Sequence, residues 1–402
     1  MKRTLVTAKA KNEGLAIMEW VAWHKLLGFD QILIVTNDNE DGSELLYDAL
    51  KRAGHIDYVD VSNLPVESSI GRRSMKALLE WPRLREFDWL LSIDLDEFLY
   101  INEDLHLRAL SGHLESNPCL FLNWINFSSG HALEMGEDVV MDRNPYGRPA
   151  VYGKPERNGK IFCRIDGLVD FASEHRGVFT DGRKALQTNG QRPKESVPVY
   201  DVAFIAHYPT KSVMEYVFRQ DRGEAYVSHE YLKERGKTEI SRQKYNYLLY
   251  MQQGSPEGCE QMQLLNDAQR QKLLHTMTQL RSDPAVAAAE RTVRAYYNAP
   301  AQRERVAQSF LHNYIKDAIH LKSDADQLAW GLQRHDAGHR SHDLFLLLAF
   351  TSWHLRRHED ALRHCQAGQA VFESDPLRQI QQAIREGRQA TALETKKLAR
   401  FK

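Results

Sequence analysis

The sequence is short of several things that would fix a function class at once. It has four cysteines in 402 residues, Cys119, Cys163, Cys259 and Cys365, and no Cys-x-x-Cys pair among them. That spacing argues against a cysteine zinc site or a disulfide scaffold, and it fits a reducing compartment. An excess of one charge is missing too: 53 Lys plus Arg stand against 54 Asp plus Glu, a formal net charge of −1. A whole-chain nucleic-acid binder would need a basic surplus, so no nucleic-acid partner is expected. No apolar run approaches the length of a membrane span. Met1 to Ala8 is basic then apolar but leads straight into Lys9, Lys11 and Glu13. It lacks the length and cleavage site of a signal peptide, and the expected location is the cytoplasm. Neither Gly-x-Gly-x-x-Gly nor a Walker loop follows an early strand candidate, so a glycine loop does not cradle phosphate here.

Apolar residues make up 42% of the chain and aromatics 9%, enough for ordinary cores. The length suggests two or three domains. Strand and helix signals alternate through the first hundred residues. Thr4 to Ala8 reads as a strand. A helix runs from Asn12 as its cap to about Leu27, with Gly28 as its stop. Gln31 to Thr36 is a β-branched buried strand, and Asn37 to Ser43 is a polar loop whose Ser43 can cap the next helix. Ile56 to Val61 reads as a third strand, Gly71 to Trp81 as a helix, and Trp89 to Asp94 as a fourth strand. Alternation at this pace predicts an α/β domain with a mostly parallel sheet and helices on both faces. Further strand-like runs are Cys119 to Asn126, Lys160 to Ile165 and Val202 to Ala206. The expected division is 1–228 for the α/β domain and 229–402 for an all-helical C-terminal region. Within the latter, Leu344 to Pro376 reads as a helix pair closed by its proline and loosely like a tetratricopeptide unit. Only one copy is visible, so a helical bundle or cap is the simpler reading.

The sharpest chemical feature is Asp94-Leu95-Asp96-Glu97-Phe98, at the carboxyl end of a central strand. Ligands of open α/β sheets bind at that edge. Residues two apart in an extended segment point the same way, so Asp94 and Asp96 would converge. Two such carboxylates suit Mg²⁺ or Mn²⁺, with substrate phosphates completing the shell. The plainer alternative is an acidic turn after a strand.

A resemblance joins this feature to others. Lys11-Asn12-Glu13-Gly14, Glu19-Trp20-Val21-Ala22-Trp23-His24 and Leu27-Gly28-Phe29-Asp30 resemble the opening of bacterial family-2-like glycosyltransferases, in the subgroup close to family 92. Asn37-Asp38-Asn39 with Asp41-Gly42-Ser43 resembles the loop after their second strand. Asp94 to Leu99 resembles their Asp-x-Asp-Glu-Phe-Leu. His207-Tyr208, Lys211-Ser212, Glu215-Tyr216 and Arg222-Gly223 resemble their later segments. The likeness covers roughly the first 225 residues.

The resemblance implies a GT-A-like domain that moves a sugar from a nucleotide-sugar, a UDP-sugar first, to an acceptor hydroxyl. A divalent metal, Mn or Mg, would steady the diphosphate leaving group. Asp96 is the first choice as direct ligand, with Asp94 helping through water or ribose and His207 completing the shell. Lys211, Arg219 and Arg222 are candidates for the diphosphate, against a solvated helix face. Asn12, Glu13 and Asp38 would reach base or ribose, although Asn12 could equally cap its helix. Arg72 and Arg73 could touch base or phosphate. An inverting transfer needs a general base. Glu174 is preferred, with Asp170 next and His175 as runner-up.

The expected acceptor is a glycan or lipid-linked glycan of bacterial surface polysaccharide synthesis. Peripheral association with the inner face of the membrane and homo-oligomerisation stay open, the former through the basic tail Lys396, Lys397, Arg400 and Lys402. His335, His339 and His342 have metal-like spacing, but Gly338 interrupts any helix there. The rivals are a metal-dependent nucleotidyl- or phosphotransferase and a non-catalytic helical adaptor with a degenerate enzyme domain.

Overall fold

The computed structural model describes residues 2–63, 70–102, 105–129, 135–136, 139–148, 150–151, 154–155, 158–173, 175–193, 195–221, 259–302, 323–336, 338, 340 and 342–389. In chain order, β1 (Thr4–Ala10), α1 (Gly14–Leu26), β2 (Gln31–Thr36), α2 (Ser43–Arg52), β3 (Asp57–Asp60), α3 (Ile70–Glu80) and β4 (Trp89–Asp94) follow the expected alternation. Strands β3, β2, β1 and β4 lie side by side and parallel. The β1 sequence is buried along almost its whole length, as a parallel strand covered on both faces must be.

The second half of the sheet is mixed. After β4 the chain makes a tight turn into β5 (Glu97–Ile101), a strand that the acidic sequence Asp94 to Glu97 concealed. Then come α4 (Ser111–Ser116), β6 (Cys119–Ser128), α5 (Val140–Arg143), β7 (Tyr146–Arg148), and the short pair β8 (Ala150–Val151) and β9 (Lys154–Pro155). They are followed by β10 (Gly159–Arg164), the hairpin β11 (Leu168–Ser173) and β12 (Arg176–Phe179), β13 (Ala203–His207), α6 (Val213–Asp221) and β14 (Glu260–Gln261). Strand β10 runs antiparallel between β4 and β6, so β6 points the same way as β4. Strand β13 pairs parallel with β6 and antiparallel with β5. The fold is α/β with a helical region after it, as expected, but the sheet is wholly parallel only in its first half.

Local chemistry explains three departures from the expected caps. Asn12 is not a cap; it sits in the left-handed region at φ 49°. Gly42, at φ 83°, occupies the cap position of α2, and Ser43 is the first helical residue, bonded to the Asp41 carboxylate. In the C-terminal region Pro376 opens a helix instead of closing one.

Two tryptophans of α1 fasten it to the sheet. Trp20 Nε1 donates to the Glu97 carbonyl and Trp23 Nε1 to the Leu99 carbonyl, both at 2.8 Å. On α1 packs α7 (Asp267–Leu280), and on α2 and α1 packs α8 (Pro284–Asn298). The chain divides into two compact units, 1–239 with 249–299, and 240–248 with 300–402. The first unit therefore takes in α7 and α8, which the sequence reading places beyond residue 228 in the helical region. The second unit holds α9 (Asp324–Asp336), α10 (His342–His354), α11 (His358–Gln369) and α12 (Asp375–Arg385). Its helices cross closely at Gly368, where an added Cβ would meet Leu377 at 2.6 Å and Phe345 at 2.7 Å. Among the described residues no helix is long and apolar enough to cross a membrane. His339 and the basic tail from Lys396 lie outside the described residues.

Candidate active site

Strands β1, β2, β4, β6 and β13 point the same way, so their carboxyl ends share one edge of the sheet. That edge collects the loop after β1 with Asn12 and Glu13, the loop after β2 with Asp38, the acidic turn after β4, Asn126 near the end of β6, and His207 ending β13. Because β10 runs the other way, its first residues, with Lys160, arrive at the same edge.

The acidic turn does not bring Asp94 and Asp96 onto one point. Leu95 and Asp96 form the turn, so the two-residue alternation of an extended chain is lost and each carboxylate meets its own cation. Asp94 Oδ2 accepts from Lys160 Nζ at 2.7 Å. Burial opposes the charge on Asp94, yet Lys160 and then Lys9 overcome it and hold the carboxyl down at about 2. Lys9 stands beside Asp94 in the β1–β4 register. Glu97 closes the turn: its Oε2 accepts from the Asp94 N–H at 3.0 Å. Glu97 is completely buried, and burial pushes its carboxyl well above the usual range.

Asp96 faces the opposite way, toward β13 and α6. Its carbonyl accepts from Tyr208 N–H at 2.8 Å, which carries the β5–β13 pairing up to the turn. Its Oδ2 lies 3.7 Å from His207 Nε2 and 2.8 Å from Arg219 Nη1. Arg219 Nη1 donates to the Pro209 carbonyl at 2.7 Å and forms a close ion pair with Oδ2. Burial opposes ionisation of Asp96, but Arg219, His207 and Lys211 together hold it well below the usual carboxylate range. His207 Nδ1 lies 2.7 Å from Asn126 Oδ1. The amide oxygen can only accept, so Nδ1 carries a proton, and Nε2 is the nitrogen turned toward Asp96. Trp124 backs the histidine with ring centroids 4.4 Å apart.

Asp96 opens into a cleft lined by α1, α5, α6, α7 and α8. Glu13, Glu19, Arg143, Lys211, Arg281 and Arg294 are among the charged residues of its walls. Both oxygens of Glu19 accept from Val140 N–H, at 2.9 and 2.8 Å. Burial is the main cause that raises Glu19 from 4.5 to about 7, against Val140, Arg143 and Lys211. Arg143 and Glu215 form a partly buried two-pronged pair, with Nη2 to Oε1 at 2.7 Å and Nη1 to Oε2. Three residues of the sheet-edge loops, Asn12, Asp38 and Lys211, hold left-handed backbone at φ 49°, 43° and 47°. Such conformations persist only where neighbours fix them, and they concentrate at functional sites.

The neighbours that fix the first loop are plain. Asn12 N–H donates to Asn39 Oδ1 at 2.8 Å, and Glu40 N–H donates to Asn12 Oδ1 at 2.6 Å. Tyr297 OH donates toward Asp41 Oδ2 at 2.7 Å and toward the Asn12 carbonyl at 3.0 Å. The Asn12 side-chain oxygen thus braces one loop against the next.

A divalent cation fits this arrangement as a partner of Asp96 and His207 alone. No group of three His, Cys, Asp or Glu side chains among the described residues could hold a metal. The remaining ligands would be diphosphate oxygens and water, the usual pattern for Mg²⁺. Arg219 would compete with the cation for the same carboxylate oxygen.

No family model matches the sequence, and no curated protein does. Among solved structures, the chain is similar to S. aureus TarS 1-349, with TM-score 0.31 and 12% identity over 96% of this chain and 92% of that one. The same protein in complex with UDP-GlcNAc aligns with the same figures, TM-score 0.31 and 12%. A Bacillus anthracis protein assigned as a glucose-1-phosphate thymidylyltransferase, in complex with a sucrose, aligns at TM-score 0.24 and 12% identity over 62% of this chain and 95% of that one. Similarity this slight carries no inference about activity, which rests on the side chains themselves.

The structure brings together Asn12, Glu13, Asp96, His207, Lys211 and Arg219 at or beside the cleft. It separates others. Arg72 pairs with Asp170 at 2.9 Å and donates to the Phe171 carbonyl, so these two hold the β11 hairpin to α3. Neither is among the residues of the cleft wall. Asp38 is exposed and accepts from Asn37 Nδ2 at 3.0 Å. His175 Nδ1 lies 2.7 Å from the Gly159 carbonyl, and burial, then Lys160, pulls its pKa down. Glu174 and Arg222 lie outside the described residues. Sequence reasoning missed Lys160, Glu19, Arg281 and Arg294. A lysine inside the apolar strand sequence Gly159 to Arg164 and a glutamate inside the apolar helix sequence Ile17 to Trp23 were the available signals.

Proposed function

We propose that the protein is a metal-dependent glycosyltransferase that takes a nucleotide-sugar donor, a UDP-sugar first, and passes the sugar to an acceptor hydroxyl. One observation carries this reading. At the carboxyl edge of the sheet, Asp96 and a histidine whose Nδ1 is tied to Asn126 present a carboxylate oxygen and an imidazole nitrogen 3.7 Å apart, beside Lys211 and Arg219. A cation bound there supplies Lewis-acid stabilisation for the departing diphosphate. The chain does the rest. Asp96 and His207 would hold the cation, and Lys211 and Arg219 would offset the remaining phosphate charge. Asn12 and Asn39 hold the first two loops at one spacing for base and ribose. Lys160 and Glu97 keep Asp94, and with it the turn, in place. Surface polysaccharide synthesis is the setting that the sequence resemblance favours.

The test is a melting panel of UDP-sugars and nucleoside triphosphates, each with and without Mn²⁺, followed by assay of donor hydrolysis. The expected result is stabilisation by a nucleotide-sugar only with Mn²⁺. Asp96→Ala should abolish that stabilisation and lower turnover at least a hundredfold while leaving the apo melting curve cooperative. Undiminished turnover in the variant would remove Asp96 from the reaction. Turnover of a nucleoside triphosphate with indifference to nucleotide-sugars would favour a nucleotidyl- or phosphotransferase.

A further inference from the structure

The cleft carries more cationic machinery than a single diphosphate uses. Lys211 and Arg219 act on Asp96. Arg281, at the end of α7, and Arg294, on α8, also line the cleft but are tied to a different carboxylate. Glu290 accepts from Arg281 Nε at 2.6 Å and Nη2 at 2.7 Å, and from Arg294 Nε at 3.2 Å and Nη2 at 3.0 Å. Its side chain is 8% exposed, whereas those of Arg281 and Arg294 are 33% and 44% exposed. One buried carboxylate therefore orients two half-exposed guanidiniums, and the trio keeps a net charge of +1. In each arginine Glu290 engages the Nε–Nη2 edge and leaves Nη1 to other partners. The guanidinium fork is pre-oriented and matches carboxylate and phosphate oxygens.

Arg281 alone already links the end of α7 to Glu290 of α8, and Arg294 reaches the same carboxylate from four residues on along α8. Two arginines on one glutamate, both on the wall of a cleft, make a positive surface held rigid before any ligand arrives.

We propose that the α7–α8 wall, through Arg281 and Arg294, is a subsite for an anionic group of the acceptor, a phosphate or a carboxylate. This deepens the glycosyltransferase reading and rests on it for the word acceptor. Under it, the donor diphosphate belongs to Asp96, Lys211 and Arg219, and the acceptor's charged group to Arg281 and Arg294 of the same cleft. An acceptor without charge would gain nothing from this wall.

The full-length protein is titrated with sn-glycerol 3-phosphate, glucuronate, glycerol and glucose, and binding is read by saturation-transfer NMR. Each titration is done with and without saturating UDP plus Mn²⁺. The expected result is that one or both anionic probes bind in both conditions and the neutral probes do not. Which anion binds tells phosphate from carboxylate. Arg281→Gln and Arg294→Gln, each of which leaves Glu290 one guanidinium, should each weaken anion binding at least fivefold. Glu290→Gln releases both guanidiniums from their counter-charge and should strengthen it. Displacement of the anion by UDP would assign the wall to the donor and overturn the proposal. So would neutral probes binding as well as anions, no anion binding at all, or unchanged binding in both arginine variants. If UDP itself does not bind, the donor reading fails while the anion titration still reports on the wall.

Discussion

Among single residues, Glu19 joins burial to informative chemistry. It sits on the apolar side of α1, and its carboxylate holds the Val140 N–H at the start of α5. Burial raises its carboxyl from 4.5 to about 7. Below pH 4.5 both folded and unfolded chains hold this proton. Between 4.5 and about 7 only the folded chain does, so stability falls as pH rises through that window and is level above it. The rise corresponds to roughly 3 kcal/mol. Glu19→Gln keeps an acceptor for Val140 but has no charge to bury. The variant should melt several degrees above wild type at pH 8 and match it near pH 4.5, as read by circular dichroism at the two pH values. An equal offset at both would mean that the proton is not the cause. The same residue marks what sequence can and cannot disclose. A glutamate inside an apolar helix is visible, but the backbone N–H that makes it useful comes from residue 140.

Among elements, α8 does for the site what no motif announces. Its Tyr297 bridges the first two loops, and its Val293 fills the space left by a missing side chain at Gly14. A Cβ on Gly14 would stand 2.6 Å from Val293 Cγ1 and 2.8 Å from Ser43 Oγ. Gly14→Ala should therefore destabilise the first unit by about 1–3 kcal/mol, the usual cost of overpacking. Val293→Ala makes room, and the pair should show a favourable coupling of at least about 0.5 kcal/mol in a double-mutant cycle of chemical denaturation. Additive effects would mean that the contact is not the cause. The strands β2 and β4 were legible to the residue, because β-branched and apolar runs bounded by polar loops have few other uses. Strand β5 was not, because its first residue is a glutamate that serves the preceding turn. The antiparallel entry of β10 was equally hidden, since strand direction is set by pairing with β4 and β6 and leaves no mark on its own six residues.

At the scale of the whole chain, the recognisable motifs and the folded unit do not coincide. The resemblance to known glycosyltransferases stops near residue 225, while the first compact unit runs on through α7 and α8 to residue 299. Helices α7 and α8 bury Leu273, Met277, Leu280, Val286, Val293 and Tyr297. A fragment ending at residue 228 would leave their seats on α1 and α2 open to water. Such a fragment should aggregate or melt without cooperativity, whereas one ending at residue 299 should show a sharp transition, compared by circular dichroism and size-exclusion chromatography. Equal behaviour of the two would separate α7 and α8 from the stability of the sheet. Periodicity identified these segments as helices, but helical periodicity does not name the surface that a helix will cover.

Tyr297 also orders events in time. Synthesis runs from the amino end, and domains form as units while it proceeds. The loops around Asn12 and Asp41 are made well before the hydroxyl that pins them, which follows 285 and 256 residues later. On the ribosome these loops therefore stay unlatched until Tyr297 is made, 256 residues after Asp41, and a ribosome that stalls between the two leaves them without their brace.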